Sequence, residues 1–217
     1  MADLTIYIGN KNYSSWSLRG WLMLKASGIE FDEVVIALDE PTTRETIVRH
    51  SPSGRVPVIK HGDRVVWDTL AIGEYLAELV PEAGLWPADQ TARAVARSVS
   101  AEMHSGFQAL REHFPMNMRS TFSERYPNAG AQADINRISA IWRDCRRRFG
   151  GTGEFLFGEF TIADAMFAPV CSRFRTYKIE MDEVGQAYCD AIWNRPAVQE
   201  WLQAARKEPM VIPAAEF

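Results

Sequence analysis

Two adjacent hydroxyls, Ser14 and Ser15, stand directly ahead of the apolar run in SSWSLRGWLML. A helix beginning there exposes unpaired N–H groups and the positive end of its dipole, a setting that favours an anion. Serine is also a strong N-cap, and one serine suffices for a cap, so the pair suits either a cap or a cap with a ligand. Val56-Pro57 opens a strand, where proline costs no ladder hydrogen bond, and the residues alone give a trans bond. Asp68-Thr69 is a capping pair that also offers an acid for an ammonium and a hydroxyl for a carboxylate. Thr161 and Asp164 in GEFTIADA form a capping box with Asp in place of Glu or Gln, read as structural.

These groups need elements to hold them. LTIYI (4 to 8) reads as a buried strand, and a helix from about Ser15 to Lys25 follows, with Leu18, Trp21, Leu22 and Lys25 on one stripe and Gly28 as its stop. FDEVVIAL (31 to 38) reads as a strand, Thr42 to Arg49 as a short helix, and VPVIK and RVVW as strands joined at His61-Gly62-Asp63. A helix from about Asp68 to Val80 carries Leu70, Ile72, Tyr75, Leu76 and Leu79. The order is βαβαββα. Past the Pro/Gly-rich stretch PEAGLWPAD, strand signals stop, and helical spacing covers 91 to 114, 131 to 149, 161 to 175, 182 to 193 and 196 to 206.

The 217 residues are 47% hydrophobic and 24% charged, the profile of an ordinary globular chain with material for one large domain or two small ones. A net charge of −4 provides no basic field for nucleic acid. No apolar run approaches the roughly 18 residues of a membrane span, and MADLTIYIGN lacks the pattern of an export signal, so the chain reads as cytoplasmic. The three cysteines, Cys145, Cys171 and Cys189, have no metal-ligand or disulfide-framework spacing and read as small apolar residues on helix faces.

Taken together, SSWSLR, the VP ahead of a strand, WDTLAIGEYL and GEFTIADA resemble the cytosolic glutathione transferase family over essentially the whole chain, nearest its serine-type zeta class. The resemblance implies a thioredoxin-like glutathione-binding domain at 1–80, a linker at 81–90 and an all-helical C-terminal domain at 91–217. In the serine-type classes the catalytic serine stands five residues before an arginine, so Arg19 selects Ser14, with Ser15 beside it, to donate a hydrogen bond to the glutathione sulfur. With no cysteine in the first 144 residues, thiolate activation is expected rather than mixed-disulfide chemistry. Val56 would pair its backbone with the cysteinyl portion of glutathione, and Pro57 would be cis. Asp68 would take the γ-glutamyl ammonium, Thr69 its carboxylate, and Arg55 or His50 the glycyl carboxylate. Asp-Thr departs from the Glu-Ser or Gln-Ser usual in the family.

Zeta members carry Ser-Ser-Cys-x-x-Arg, where this chain has Trp16 in place of the cysteine. Trp16, Met103, Phe107 and Leu110 are candidates for an electrophile site, as is Arg175, which with Arg173 falls near where zeta enzymes hold substrate carboxylates. The resemblance further implies a homodimer centred on the third and fourth helices, with Arg93 or Arg97 across it, and no metal. Three activities follow as expectations: conjugation of glutathione to electrophiles or reduction of organic hydroperoxides, a glutathione-dependent cis-trans isomerase of the maleylacetoacetate type, and a non-catalytic glutathione-binding module.

Overall fold

A computed structural model describes residues 3–217, so the first two residues of the expected thioredoxin-like half lie outside it. β1 (Leu4–Ile8) leads into α1 (Ser15–Ser27), β2 (Asp32–Val35), α2 (Thr43–Val48), β3 (Val58–His61), β4 (Arg64–Trp67) and α3 (Thr69–Leu79). The sheet order is β2-β1-β3-β4; β1 runs parallel to β2 and antiparallel to β3, which is antiparallel to β4. Leu4, Ile6 and Ile8 alternate into the core as a period of two requires.

The remainder is helical: α4 (Gln90–Ser105), α5 (Gln108–His113), α6 (Ala129–Phe149), α7 (Ile162–Thr176), α8 (Glu183–Asn194) and α9 (Pro196–Lys207). Residues 91 to 114, expected as one helix, divide at Gly106 and Phe107. A Cβ on Gly106 would meet the Glu102 carbonyl oxygen at 2.9 Å, and Phe107 takes a left-handed φ of 59°, which no α-helix continues through. The strand expected from Val56 starts at Val58, and that expected over 31 to 38 is only Asp32–Val35.

The expected single apolar stripe of α1 is too narrow. Every residue from Ser17 to Leu24 is buried, because the helix packs on α3, α7, α9 and β1, while Lys25 is exposed and pairs with Glu200 at 2.8 Å. Gly20 permits this closeness: a Cβ there would meet the Pro57 ring at 3.0 Å. In the helical half α7 is the spine, buried at all of its positions except Arg175, and it touches α1, α4 and α8.

The start of α7 is tied down by Asp164. One carboxylate oxygen accepts from the Thr161 N–H (2.8 Å) and the Thr161 hydroxyl (2.9 Å); the other accepts from the Leu156 N–H and the Tyr188 hydroxyl, both at 3.1 Å. Complete burial outweighs these bonds and pushes the acid up to about 6. The three cysteines are buried thiols on α6, α7 and α8, and burial drives Cys145 up to about 12.

Candidate active site

Ser14 is the N-cap of α1, in extended backbone geometry. Its Oγ accepts from the Ser17 N–H at 3.3 Å, a long cap bond, and donates to Ser17 Oγ at 2.8 Å; Ser17 Oγ in turn accepts from the Gly9 N–H at 2.9 Å. The residue is therefore a cap and also part of the wall of a cleft of about 950 Å³. Ser15, the first helical residue, does not line this cleft. Of the adjacent hydroxyls, only Ser14 faces the open volume.

Long-range contacts hold the segment carrying Ser14. The Glu208 carboxylate accepts from the N–H groups of Lys11 (2.6 Å) and Asn12 (3.0 Å), and Asn12 Oδ1 accepts from those of Met118 (2.9 Å) and Arg119 (3.0 Å). The Tyr13 hydroxyl donates to Glu216 at 2.5 Å and accepts from Arg119 at 2.7 Å. Burial, then the hydrogen bond to Glu216, raises the Tyr13 phenol above its ordinary value, so it stays protonated and committed to the C-terminal tail.

Across the cleft Asp68 sits at the N-cap of α3 with a φ of 72°. Its Oδ1 accepts from the Leu70 N–H at 2.9 Å, while Oδ2 lies 2.6 Å from His104 Nε2 on α4. Thr69 is 1% exposed and its hydroxyl has no partner, an orphaned donor at a helix N-terminus on the cleft wall. The Val56-Pro57 bond is cis, as the resemblance implied and against the reading from the residues alone. Among the described residues, neither polar backbone group of Val56 bonds to another backbone group. Arg55 and Ser53 complete this side, and Leu38, Ile47 and Trp67 supply apolar wall.

The structure thus brings Ser14, Trp16, Arg55, Val56, Pro57, Asp68 and Thr69 into one cleft. His50 stays outside it, stacked on Tyr7 with ring centroids 4.1 Å apart; burial, then Lys60 and Arg49, lowers its pKa and keeps it neutral. Met103, Phe107 and Leu110 do not line the cleft either: at 1%, 7% and 0% exposure they belong to the core. Arg175 is on a different face, 2.9 Å from Asp190 and over the Trp193 ring. Arg173 is buried, with Nε donating to the Phe114 carbonyl at 2.7 Å. Arg93 donates to the carbonyls of Pro87 and Ala88, and Arg97 forms a two-point pair with Glu74, both bonds 3.0 Å, so each is engaged within its own chain. Ser53, Trp67, His104 and Ser105 were not foreseen; they reach the cleft only through the fold, with His104 meeting an acid 36 positions earlier.

Among the described residues no group of three or more His, Cys, Asp or Glu is placed to hold a metal ion, and no helix is long and apolar enough to cross a membrane. Family models described as the glutathione S-transferase N-terminal domain and C-terminal domain match residues 13–79 and 94–204. The chain is 33% identical over 114 residues to glutathione S-transferase 1 of Dianthus caryophyllus, an alignment covering 52% of this chain and 51% of that protein. It is 33% identical over 181 residues to maleylacetoacetate isomerase of Mus musculus, covering 81% and 80%. The match thus spans about half the first relative's length and four fifths of the second's. A glutathione transferase homolog from Burkholderia gl BGR1, solved with bound glutathione, is similar with a TM-score of 0.69 and 26% identity over 94% of this chain and 97% of that one. The chain belongs to the glutathione S-transferase family.

Proposed function

We propose that the chain is a glutathione transferase, with residues 1–80 binding glutathione, 81–90 as a linker and 91–217 closing the cleft from the helical side. It activates the thiol for conjugation to electrophiles or for reduction of organic hydroperoxides. The observation that carries this is the convergence of Ser14, the unbonded Val56 backbone, the Asp68 acid and the unpartnered Thr69 hydroxyl on one cleft. Each complements a different part of glutathione. Thr69, at the start of α3, suits the γ-glutamyl carboxylate, and Asp68 its ammonium, which would share Oδ2 with His104. Val56 offers its backbone to the cysteinyl unit. Arg55 is the candidate for the glycyl carboxylate, since His50 lies outside the cleft.

Those contacts direct the sulfur toward Ser14, whose single O–H turns to it from Ser17 Oγ. A free thiol titrates near ~8.5, and one hydroxyl donor beside a helix N-terminus stabilises the thiolate and brings that value toward neutrality. The reacting nucleophile is then formed at physiological pH without a protein cysteine. A panel at saturating glutathione, comprising an aryl halide, an organic hydroperoxide and maleylacetone, tests the activity. Turnover of none of the three while glutathione still binds would leave a non-catalytic module.

A second reading, glutathione-dependent isomerisation of a dicarboxylic acid, is supported by the similarity to the mouse maleylacetoacetate isomerase. Under either reading we take the molecule to be a cytoplasmic, isologous homodimer. Leu79, at 39% exposure, and the half-buried Leu70 and Tyr75 leave α3 with apolar surface beyond what its own chain covers. Arg93 and Arg97 lie on the adjoining α4, with partners within the chain in the Pro87 carbonyl and in Glu74.

A further inference from the structure

A guanidinium remains protonated in proteins, and burying one without an acid leaves a costly uncompensated charge. Three lie together behind the cleft: Arg19 on α1, Arg111 on α5 and Arg173 on α7. Arg19 and Arg173 are 1% and 5% exposed, and Arg111 is half-buried. Among the described residues none of the three is paired with a carboxylate, although the chain's surface arginines repeatedly are. Their acceptors are main-chain carbonyls: Met166 for Arg19 (3.1 Å), Phe114 (2.7 Å) and Pro169 (3.1 Å) for Arg173, and Met103 and His104 for Arg111. Arg19 Nη1 and Arg111 Nε find no partner at all. Burial, then the neighbouring Arg111 and Arg173, holds Arg19 well below the ordinary arginine range, and burial takes Arg173 down to about 10. The acid that acts on Arg19 is Asp68, which accepts from the Leu70 N–H and faces His104, and the acid that acts on Arg111 is Asp134; neither forms an ion pair with its arginine.

One cleft-lining side chain lies against two of the three. The Arg19 and Arg111 guanidinium carbons lie over the Trp16 ring, 4.3 and 4.8 Å from its centroid, and the His104 ring meets Trp16 edge-on at 5.1 Å. Among aromatic rings, indole attracts a guanidinium most strongly. We propose that Trp16 sets the charge preference of the cleft: its indole covers the Arg19 and Arg111 guanidinium groups and so keeps their N–H edges from an anionic group of the second substrate, and the site selects neutral electrophiles over anionic ones.

The inference deepens the transferase reading and rests on it. It also separates the two activities above, because a dicarboxylic substrate would have to displace the indole.

Two chloronitroarenes differing by one ring carboxylate supply the test. In both the thiolate sulfur attacks the chlorine-bearing carbon, a C–S bond forms and chloride leaves with the C–Cl electron pair. The ratio of kcat/KM, anionic over neutral, is measured for the wild type, Trp16→Ala, Trp16→Leu and Trp16→Phe; comparing variants cancels the intrinsic reactivity of the two arenes. Loss of the aromatic face frees the cluster for a charge-assisted contact, so the ratio should rise about 10-fold or more in the Ala and Leu variants and stay near wild type in the Phe variant. An unchanged ratio in the folded Ala and Leu variants, or the same rise in Phe, overturns the proposal. Should alanine fail to fold, the Leu and Phe variants decide alone. Should no protein in the series turn over either arene, conjugation to aryl halides falls, and the organic hydroperoxide decides the rest of the transferase reading. Equilibrium binding of nitrobenzoate against nitrobenzene to the same proteins then judges Trp16: a selective gain for nitrobenzoate in Ala and Leu upholds it, and no gain overturns it.

Discussion

Replacing Ser14 by alanine removes one hydroxyl and leaves the rest of the cleft wall in place. The structure separates the two jobs of that hydroxyl. Its capping bond to the Ser17 N–H is long, 3.3 Å, and Ser17 Oγ keeps its own donor in the Gly9 N–H, so the stability loss should sit low in the usual capping range, at about 0.5–1 kcal/mol. The bond to a developing thiolate is charge-directed and worth about 1.5–3 kcal/mol, which is roughly 10- to 100-fold in rate. Initial rates with a chloronitroarene at saturating glutathione should therefore fall by that factor at pH 6.5 and by much less at pH 9, where the thiolate forms unaided. Ser15→Ala should leave both rates close to wild type, because Ser15 does not line the cleft. A silent Ser14→Ala together with a crippled Ser15→Ala would refute the assignment.

Three further outcomes are expected. Asp164 titrates near 6 in the folded chain against an ordinary 3.8, so the folded state binds the extra proton between those values, and this group's contribution to stability falls as pH rises from about 4 to about 6. Chemical denaturation should show the wild type gaining on Asp164→Asn by up to ~3 kcal/mol on acidification from pH 7 to pH 4, with the variant already weaker by ~1 kcal/mol or more at pH 7; a constant gap across that range would contradict it. Glu208→Ala strips the acceptor from two backbone N–H groups beside Ser14 and should cost about 1–3 kcal/mol while lowering kcat severalfold, with Glu208→Gln restoring part of both; an unaltered kcat would sever the tail from catalysis. Sedimentation at micromolar concentration should give twice the 24.5 kDa chain mass, and a persistent single-chain mass would refute the dimer.

The order of elements was legible because each strand or helix in the first half carries its own periodicity and stop signals. The break at Gly106 was not, since glycine inside a helical pattern is tolerated often enough to be passed over, and the left-handed Phe107 gives no sign in the sequence. Ser14, Val56, Pro57, Asp68 and Thr69 stood out because each lies at an element boundary, where caps and unpaired backbone groups concentrate. His104 and Glu208 meet their partners 36 and 197 positions away, so only the folded chain could show them. Met103, Phe107 and Leu110 failed as cleft residues for the opposite reason: an apolar stripe on a helix marks a buried face without saying what buries it. The arginines behind Trp16 come from three helices that no local pattern connects.

The most direct test of thiol activation is the ultraviolet absorbance of glutathione bound to the protein, followed against pH without any second substrate. The thiolate band should titrate well below the free thiol's ~8.5 in the wild type and return toward that value in Ser14→Ala. Bound glutathione that titrates like the free tripeptide in the wild type, or identically in both proteins, would contradict it.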